Sequence, residues 1–218
     1  MKPRVADKQA YSLYRFALLA CIFLVLFFLV LYGVLSNNRV LVALDQGAKD
    51  ALNSVRYPWL TLLMLSLTAI TNFYVFLALI ALIIGILIYK KKVNNGIWLL
   101  ICLALSFLLD LLLKLLISRA RPPDAILETT GFSFPSGHNL LAVIFFSILI
   151  LSFRKTTKGM AKYILYGISL FFMLLIPFSR LYLNVHWMTD IIGGILLAFF
   201  ILTSTYAILK WYGIEIEV

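Results

Sequence analysis

The stretch Phe73-Tyr-Val-Phe-Leu-Ala-Leu-Ile-Ala-Leu-Ile-Ile-Gly-Ile-Leu-Ile-Tyr89, followed at once by Lys90-Lys91-Lys92, decides the fold. It carries no charge, and as a helix it is about 26 Å long, close to the ~30 Å hydrocarbon core of a bilayer. The three lysines then fix where the chain meets water. Cationic loops flanking short spans mark the cytoplasmic side, so this end faces inward.

Working outward, further apolar runs lie at 16–35, 97–117, 138–153, 163–178 and 187–209. The predicted fold is therefore an all-α, integral membrane bundle of six transmembrane helices, with residues 1–218 forming one domain. Composition agrees: 63% of residues are hydrophobic, 13% are charged and the mean hydropathy is +1.03, whereas a soluble domain has roughly a quarter of its residues charged. The net charge of +10 is explained by placement rather than by a nucleic-acid partner. With six spans and an inner N-terminus, 12 of the 19 Lys and Arg fall on one side, including Lys2, Arg4, Lys8, Arg15, Arg154, Lys155 and Lys210. Both termini are thus expected in the cytoplasm of a multi-pass cell-membrane protein, with Lys114, Arg119, Arg121 and Arg180 facing outward. Cys21 and Cys102 lie within apolar runs and read as small hydrophobes.

Between the first two runs, 40–55 repeats apolar residues at helical spacing among Asp45, Lys49 and Asp50. That pattern predicts an amphipathic helix on the outer surface. The segment 57–92 is too long for one straight span, so an interruption is expected at Thr68, Thr71 and Asn72, with Pro58 opening a shorter helix. Gly193-Gly194 in the last span allows close approach of a neighbouring helix.

The ionisable residues are concentrated at the outer ends of the spans. Asp110 and Lys114 stand at i, i+4 inside the third run; their blandest reading is a mutual ion pair that makes insertion tolerable. Arg121 is expected two turns beyond Lys114 on nearly the same face, before Pro122-Pro123 ends the helix. Pro135-Ser136-Gly137-His138 opens the fourth span, where glycine admits a ligand close to backbone amides; an ordinary turn and N-cap reads equally from these residues. Arg180 closes the fifth span. His186 and Asp190 follow, expected one helical turn apart on one face, so that the carboxylate holds one imidazole nitrogen and frees the other. The chain has only these two histidines, His138 and His186.

Lys114, Arg121 and Arg180, with the Ser136 hydroxyl and the amides at Gly137, form a cradle for a phosphate dianion. Phosphoryl transfer is mostly positioning and charge stabilisation, and two histidines supply a nucleophile and an acid. Asp190 selects His186 as the nucleophile and leaves His138 as the acid. No cluster of carboxylates, histidines or thiolates beyond these residues points to a metal or another cofactor.

These residues stand as Lys114 with six residues intervening before Arg121-Pro122, then Pro135-Ser136-Gly137-His138, then Ser179-Arg180 with five intervening before His186 and three more before Asp190. In this the sequence resembles the type 2 phosphatidic acid phosphatase superfamily, whose three-part signature has these residue types at these spacings. Asn139, where the family more often has a small residue or serine, departs outside the signature. The resemblance implies a phosphohistidine on His186, hydrolysed by water, and a membrane lipid phosphate as substrate: phosphatidylglycerol phosphate, phosphatidic acid, undecaprenyl pyrophosphate or a lipid A phosphate. Transfer to another hydroxyl is the rival enzymatic reading, and anion binding or conduction by the basic cluster is the non-enzymatic one. Related vanadium-dependent haloperoxidases share the signature but are soluble.

Overall fold

The structure is a computed structural model that describes residues 5–70 and 73–217 of the 218. Among the described residues it is all-helical: α1 Val5–Leu35, α2 Arg39–Ser54, α3 Pro58–Ile70, α4 Phe73–Tyr89, α5 Val93–Ile117, α6 Gly137–Phe153, α7 Gly159–Tyr182 and α8 Met188–Trp211. Helices α1, α5, α7 and α8 are long and apolar enough to cross a membrane, and α3 with α4 passes as one span bent by 57°. Length and composition therefore give four crossings, or five with the bent pair, against the six expected. The difference is α6, whose 17 residues make it only about 26 Å long. Of the interruption expected at Thr68, Thr71 and Asn72, Thr68 lies in the last turns of α3, while Thr71 and Asn72 lie outside the described residues.

Helix α8 is the axis of the bundle. It packs against α1, α5 and α6 and carries α2 across its start, and it buries more of its apolar length than any other candidate span. Small residues make this possible. A Cβ on Gly193 would lie 2.6 Å from the Phe134 ring, closer than side-chain atoms tolerate, and one on Gly194 would lie 3.0 Å from the Ser136 carbonyl oxygen, tight enough that the loop backbone would have to give. The loop before α6 thus rests directly on the α8 backbone. Lower down, Trp98 Nε1 donates to Thr205 Oγ1 at 2.9 Å, which satisfies an indole buried among Cys102, Ile148, Ile201 and Tyr206.

Helix α2 begins at a cap made by Asn38, whose side chain accepts from the Val40 amide at 2.9 Å. It covers the end of α7 and the start of α8. Of the residues in the expected periodic pattern, Leu41, Ala48 and Leu52 are half-buried while Leu44, Ala51 and Val55 stay exposed; the residue that α2 buries is an acid, Asp45, which is 4% exposed. At the opposite end of the bundle Lys92, expected among the exposed cations closing the α4 span, is buried. Its ammonium donates to the Ser152 carbonyl at 2.6 Å and to Glu217 at 2.7 Å. The local run of three lysines gives no hint that the third folds under the C-terminal residues.

Candidate active site

The C-terminal ends of α5 and α7 and the starts of α6 and α8 come together, and the loops between them are stitched by hydrogen bonds. Helix α7 ends where Asn184 adopts φ +54°, the left-handed conformation that closes helices. The amides of Leu183, Asn184 and Val185 return to the carbonyls of Ser179, Leu181 and Arg180. The chain reverses there and enters α8 within four residues. His186 sits in this reversal, not on a helix, which corrects the expected common helical face with Asp190.

The two side chains still meet, by a different route. Asp190 occupies the first turn of α8, and its Oδ2 accepts the Trp187 amide at 2.9 Å, a helix-capping contact. The same oxygen lies 3.3 Å from His186 Nδ1, which also faces the Ser133 carbonyl oxygen at 2.9 Å. Both partners of Nδ1 are acceptors, so in the neutral ring Nδ1 carries the proton and Nε2 carries the lone pair. Burial is the main reason that the His186 pKa is pushed down to about 4, against the opposing pull of the Asp190 hydrogen bond and charge. The imidazole is therefore neutral at pH 7, with a nucleophilic nitrogen.

Ser136 begins α6, but its hydroxyl caps nothing: Oγ is buried without a partner. Its amide donates to the Asp190 carbonyl at 3.1 Å, and Asn139 Nδ2 donates to the Ile191 carbonyl at 2.8 Å, so α6 is locked to α8 on both sides of His138. The unusual Asn139 is thus a strut between helices. Gly137 is required for space, since a Cβ would lie 2.9 Å from Asp110 Oδ2. His138 is within electrostatic reach of Arg180, His186, Lys114 and Arg121, so the structure brings the signature residues of all three segments to one place.

The three cations differ in how they are engaged. Lys114 donates to Asp110 Oδ2 at 2.8 Å, the ion pair anticipated from their spacing, and retains two further protons. Arg121 is not on the helix as expected. Helix α5 stops at Ile117 because Ser118 turns left-handed, with φ +49°, and its amide closes on the Lys114 carbonyl at 2.9 Å. Arg121 reaches the site from the loop instead, donating to the carbonyls of Val185 at 2.6 Å, Gly131 at 3.0 Å and Thr130 at 3.2 Å. Arg180, 3% exposed in the last turn of α7, keeps Nε and Nη1 buried without partners. Buried charged donors left unsatisfied are costly, and an incoming anion would satisfy them.

Sequence reading missed two members of this assembly. Arg119 places its guanidinium between Asp190 Oδ1 and Asp45 Oδ2, and Asp45 also accepts the Thr189 amide at 2.8 Å. Arg119 was visible only as one of several outer basic residues, and Asp45 only as a polar position on an amphipathic helix. No local spacing links residues 45, 119 and 190.

The PAP2 superfamily model matches residues 95–214. The chain is 33% identical over 184 residues to phosphatidylglycerophosphatase B of Bacillus subtilis (strain 168), covering 82% of this chain and 90% of that protein. It is 30% identical over 142 residues to an undecaprenyl-diphosphatase of Sulfolobus acidocaldarius, covering 62% of this chain and 64% of that one. Among solved structures, it is similar to the transmembrane PAP2-type phosphatidylglycerolphosphate phosphatase of Bacillus subtilis, with TM-score 0.74, 28% identity, and coverage of 90% and 97% of the two chains. Aquifex aeolicus LpxE shares the fold, with TM-score 0.57 and 22% identity over 78% of this chain and 96% of that one. The chain belongs to the PAP2 superfamily, as a multi-pass, all-helical membrane member.

Proposed function

We propose that the protein is a lipid phosphatase that hydrolyses a phosphomonoester or pyrophosphate of a membrane lipid, with phosphatidylglycerol phosphate the leading substrate and phosphatidic acid and undecaprenyl pyrophosphate behind it. The observation that carries this reading is the buried guanidinium of Arg180 with two unpartnered nitrogens, within electrostatic reach of His138, together with the unpartnered Ser136 hydroxyl two residues before that histidine. Donors left in that state are suited to an anion with several oxygens. The leading substrate rests on the extent of similarity to phosphatidylglycerophosphatase B.

In the proposed reaction Arg180, Arg121, Lys114, Ser136 and the Gly137 amide hold the phosphate. His186 Nε2 attacks phosphorus, and the bond to the lipid oxygen breaks as His138 donates a proton to it. Asp190 compensates the charge that develops on the His186 ring. Water, deprotonated by His138, then attacks the phosphohistidine, releasing phosphate and restoring both imidazoles. The cations neutralise the phosphate, so the chemistry requires no metal. In the bilayer, residues 1–218 form a single domain with α6 as a short sixth crossing, both termini cytoplasmic and the site facing outward, where a headgroup enters while its tails remain in lipid.

The test is phosphate release by purified protein in detergent across phosphatidylglycerol phosphate, phosphatidic acid and polyprenyl pyrophosphates. Turnover is expected to survive EDTA; a loss restored by magnesium would overturn the metal-free reading. Acidity supplies a further test. Because folding lowers the His186 pKa from 6.5 to about 4, the stability held in its neutral form is present above 6.5 and is lost as pH falls toward and through about 4. The acid limb of kcat/KM is expected well below 6.5, once substrate ionisation has been measured by phosphorus NMR. A limb at or above the ordinary imidazole value would mean that His186 is not the group being titrated.

A further inference from the structure

Asp190 does not stand alone beneath His186. Its Oδ1 accepts from Arg119 Nη1, and the same nitrogen donates to Thr189 Oγ1 at 2.7 Å. The other arm of the guanidinium, Nη2, reaches Asp45 Oδ2 at 2.6 Å. Asp45 in turn accepts the Thr189 amide at 2.8 Å and the Thr189 hydroxyl at 2.8 Å. Every oxygen of the two carboxylates is engaged. Asp45, Thr189 and Asp190 are each at most 4% exposed.

Two features separate this assembly from an ordinary surface ion pair. The residue before α8 is Trp187, whose indole has no acceptor to cap a helix; Asp45 supplies that acceptor from another helix, α2, to the first turn of α8. The network also places two buried carboxylates on a single cation, an arrangement with little to offer stability beyond its cost of desolvation. What it does accomplish is geometric. Arg119 fixes one oxygen of Asp190, so the other is held toward His186 Nδ1.

We propose that Arg119 and Asp45 are positioning residues for the histidine nucleophile, and that α2 is thereby part of the catalytic apparatus rather than only a surface cover. This rests on the phosphatase reading above. Neither residue touches the substrate; both act through Asp190. Their removal should impair the attacking geometry and leave the phosphate cradle intact, so kcat falls while KM holds.

The experiment uses the full-length protein in detergent, with the lipid phosphate that wild type hydrolyses fastest, and melting temperature measured for every variant. Arg119→Gln is expected to lower kcat about 10²-fold with KM within about threefold of wild type, the scale of a small misplacement of a reacting group. Arg119→Lys is expected to recover roughly tenfold of that loss, and Asp45→Asn to lose roughly tenfold. Because Asp45 acts through Arg119, the double variant should be no slower than Arg119→Gln, which is strong coupling rather than additivity. Gln46→Ala, on the exposed face of α2, should match wild type. Unchanged kcat in both single variants, or multiplying losses in the double, would overturn the proposal. If Arg119→Gln does not fold, Arg119→Lys decides alone: lowered kcat at constant KM supports positioning, and unchanged kcat refutes it. Phosphate release by wild type that is absent in His186→Ala establishes the underlying reading separately, so its failure and that of the positioning role are told apart.

Discussion

His186→Ala abolishes phosphate release while leaving a folded protein, if the proposed nucleophile is correct. Removing a covalent nucleophile should reduce kcat on the order of 10⁴-fold or more. The fold should tolerate the change. His186 contributes one hydrogen bond to the Ser133 carbonyl and a longer one to Asp190, each worth about 1 kcal/mol net, and Asp190 retains the Trp187 amide and Arg119 as partners. The variant should therefore purify as wild type does and melt within a few degrees of it. Labelled substrate offers a direct counterpart: wild type quenched during turnover should carry acid-labile, base-stable phosphate, and His186→Ala should carry none. Undiminished turnover by the variant would end the mechanism, whatever the family relationship.

The second large effect concerns Arg180, and here activity and stability should move in opposite directions. In the ligand-free protein two nitrogens of this buried guanidinium have no partner, so Arg180→Ala removes an uncompensated charge from the interior. The melting temperature in detergent is expected to hold or rise. Activity is expected to fall about 10²- to 10³-fold, the usual cost of deleting one preorganised donor at a developing charge. Orthovanadate, a phosphate mimic, should raise the melting temperature of wild type by mass action and have little effect on the variant. Arg180→Lys should recover only part of the activity, since an ammonium lacks the planar fork. A variant that loses activity and stability together, and still responds to vanadate, would recast Arg180 as a structural residue.

Much of the fold is legible in the sequence because a bilayer imposes it locally. Apolar runs of the required length marked the regions of α4, α5, α6, α7 and α8 within a few residues and the end of α1, which starts eleven residues before its run, and the periodicity of 40–55 marked α2, observed as Arg39–Ser54. The count of crossings was less secure, since 17 residues in α6 fall between a short span and a buried helix. At the site, residue types and spacings identified which groups meet but not how. His186 and Asp190 meet across a helix start, and Arg121 arrives from a loop, because the breaks at Asn184 and Ser118 use left-handed residues other than glycine. Neither residue announces a helix end as glycine would. Arg119 and Asp45 were invisible for a different reason: their partners are 71 and 144 residues away along the chain, and no helical or strand period reaches so far.

The contact of Phe134 and Ser136 with the bare backbone at Gly193 and Gly194 has a consequence for what the site can distinguish. The two histidine-bearing segments are joined by steric fit, so no headgroup is needed to draw them together, and none of its binding energy is consumed in ordering them. If the proposed function holds, such a bowl would select for what fits inside it, a compact oxyanion, and would be indifferent to the scaffold that delivers it. Under the proposed function, choice among lipids would then fall to the rim and to the flanks of the helices, which take no part in the chemistry.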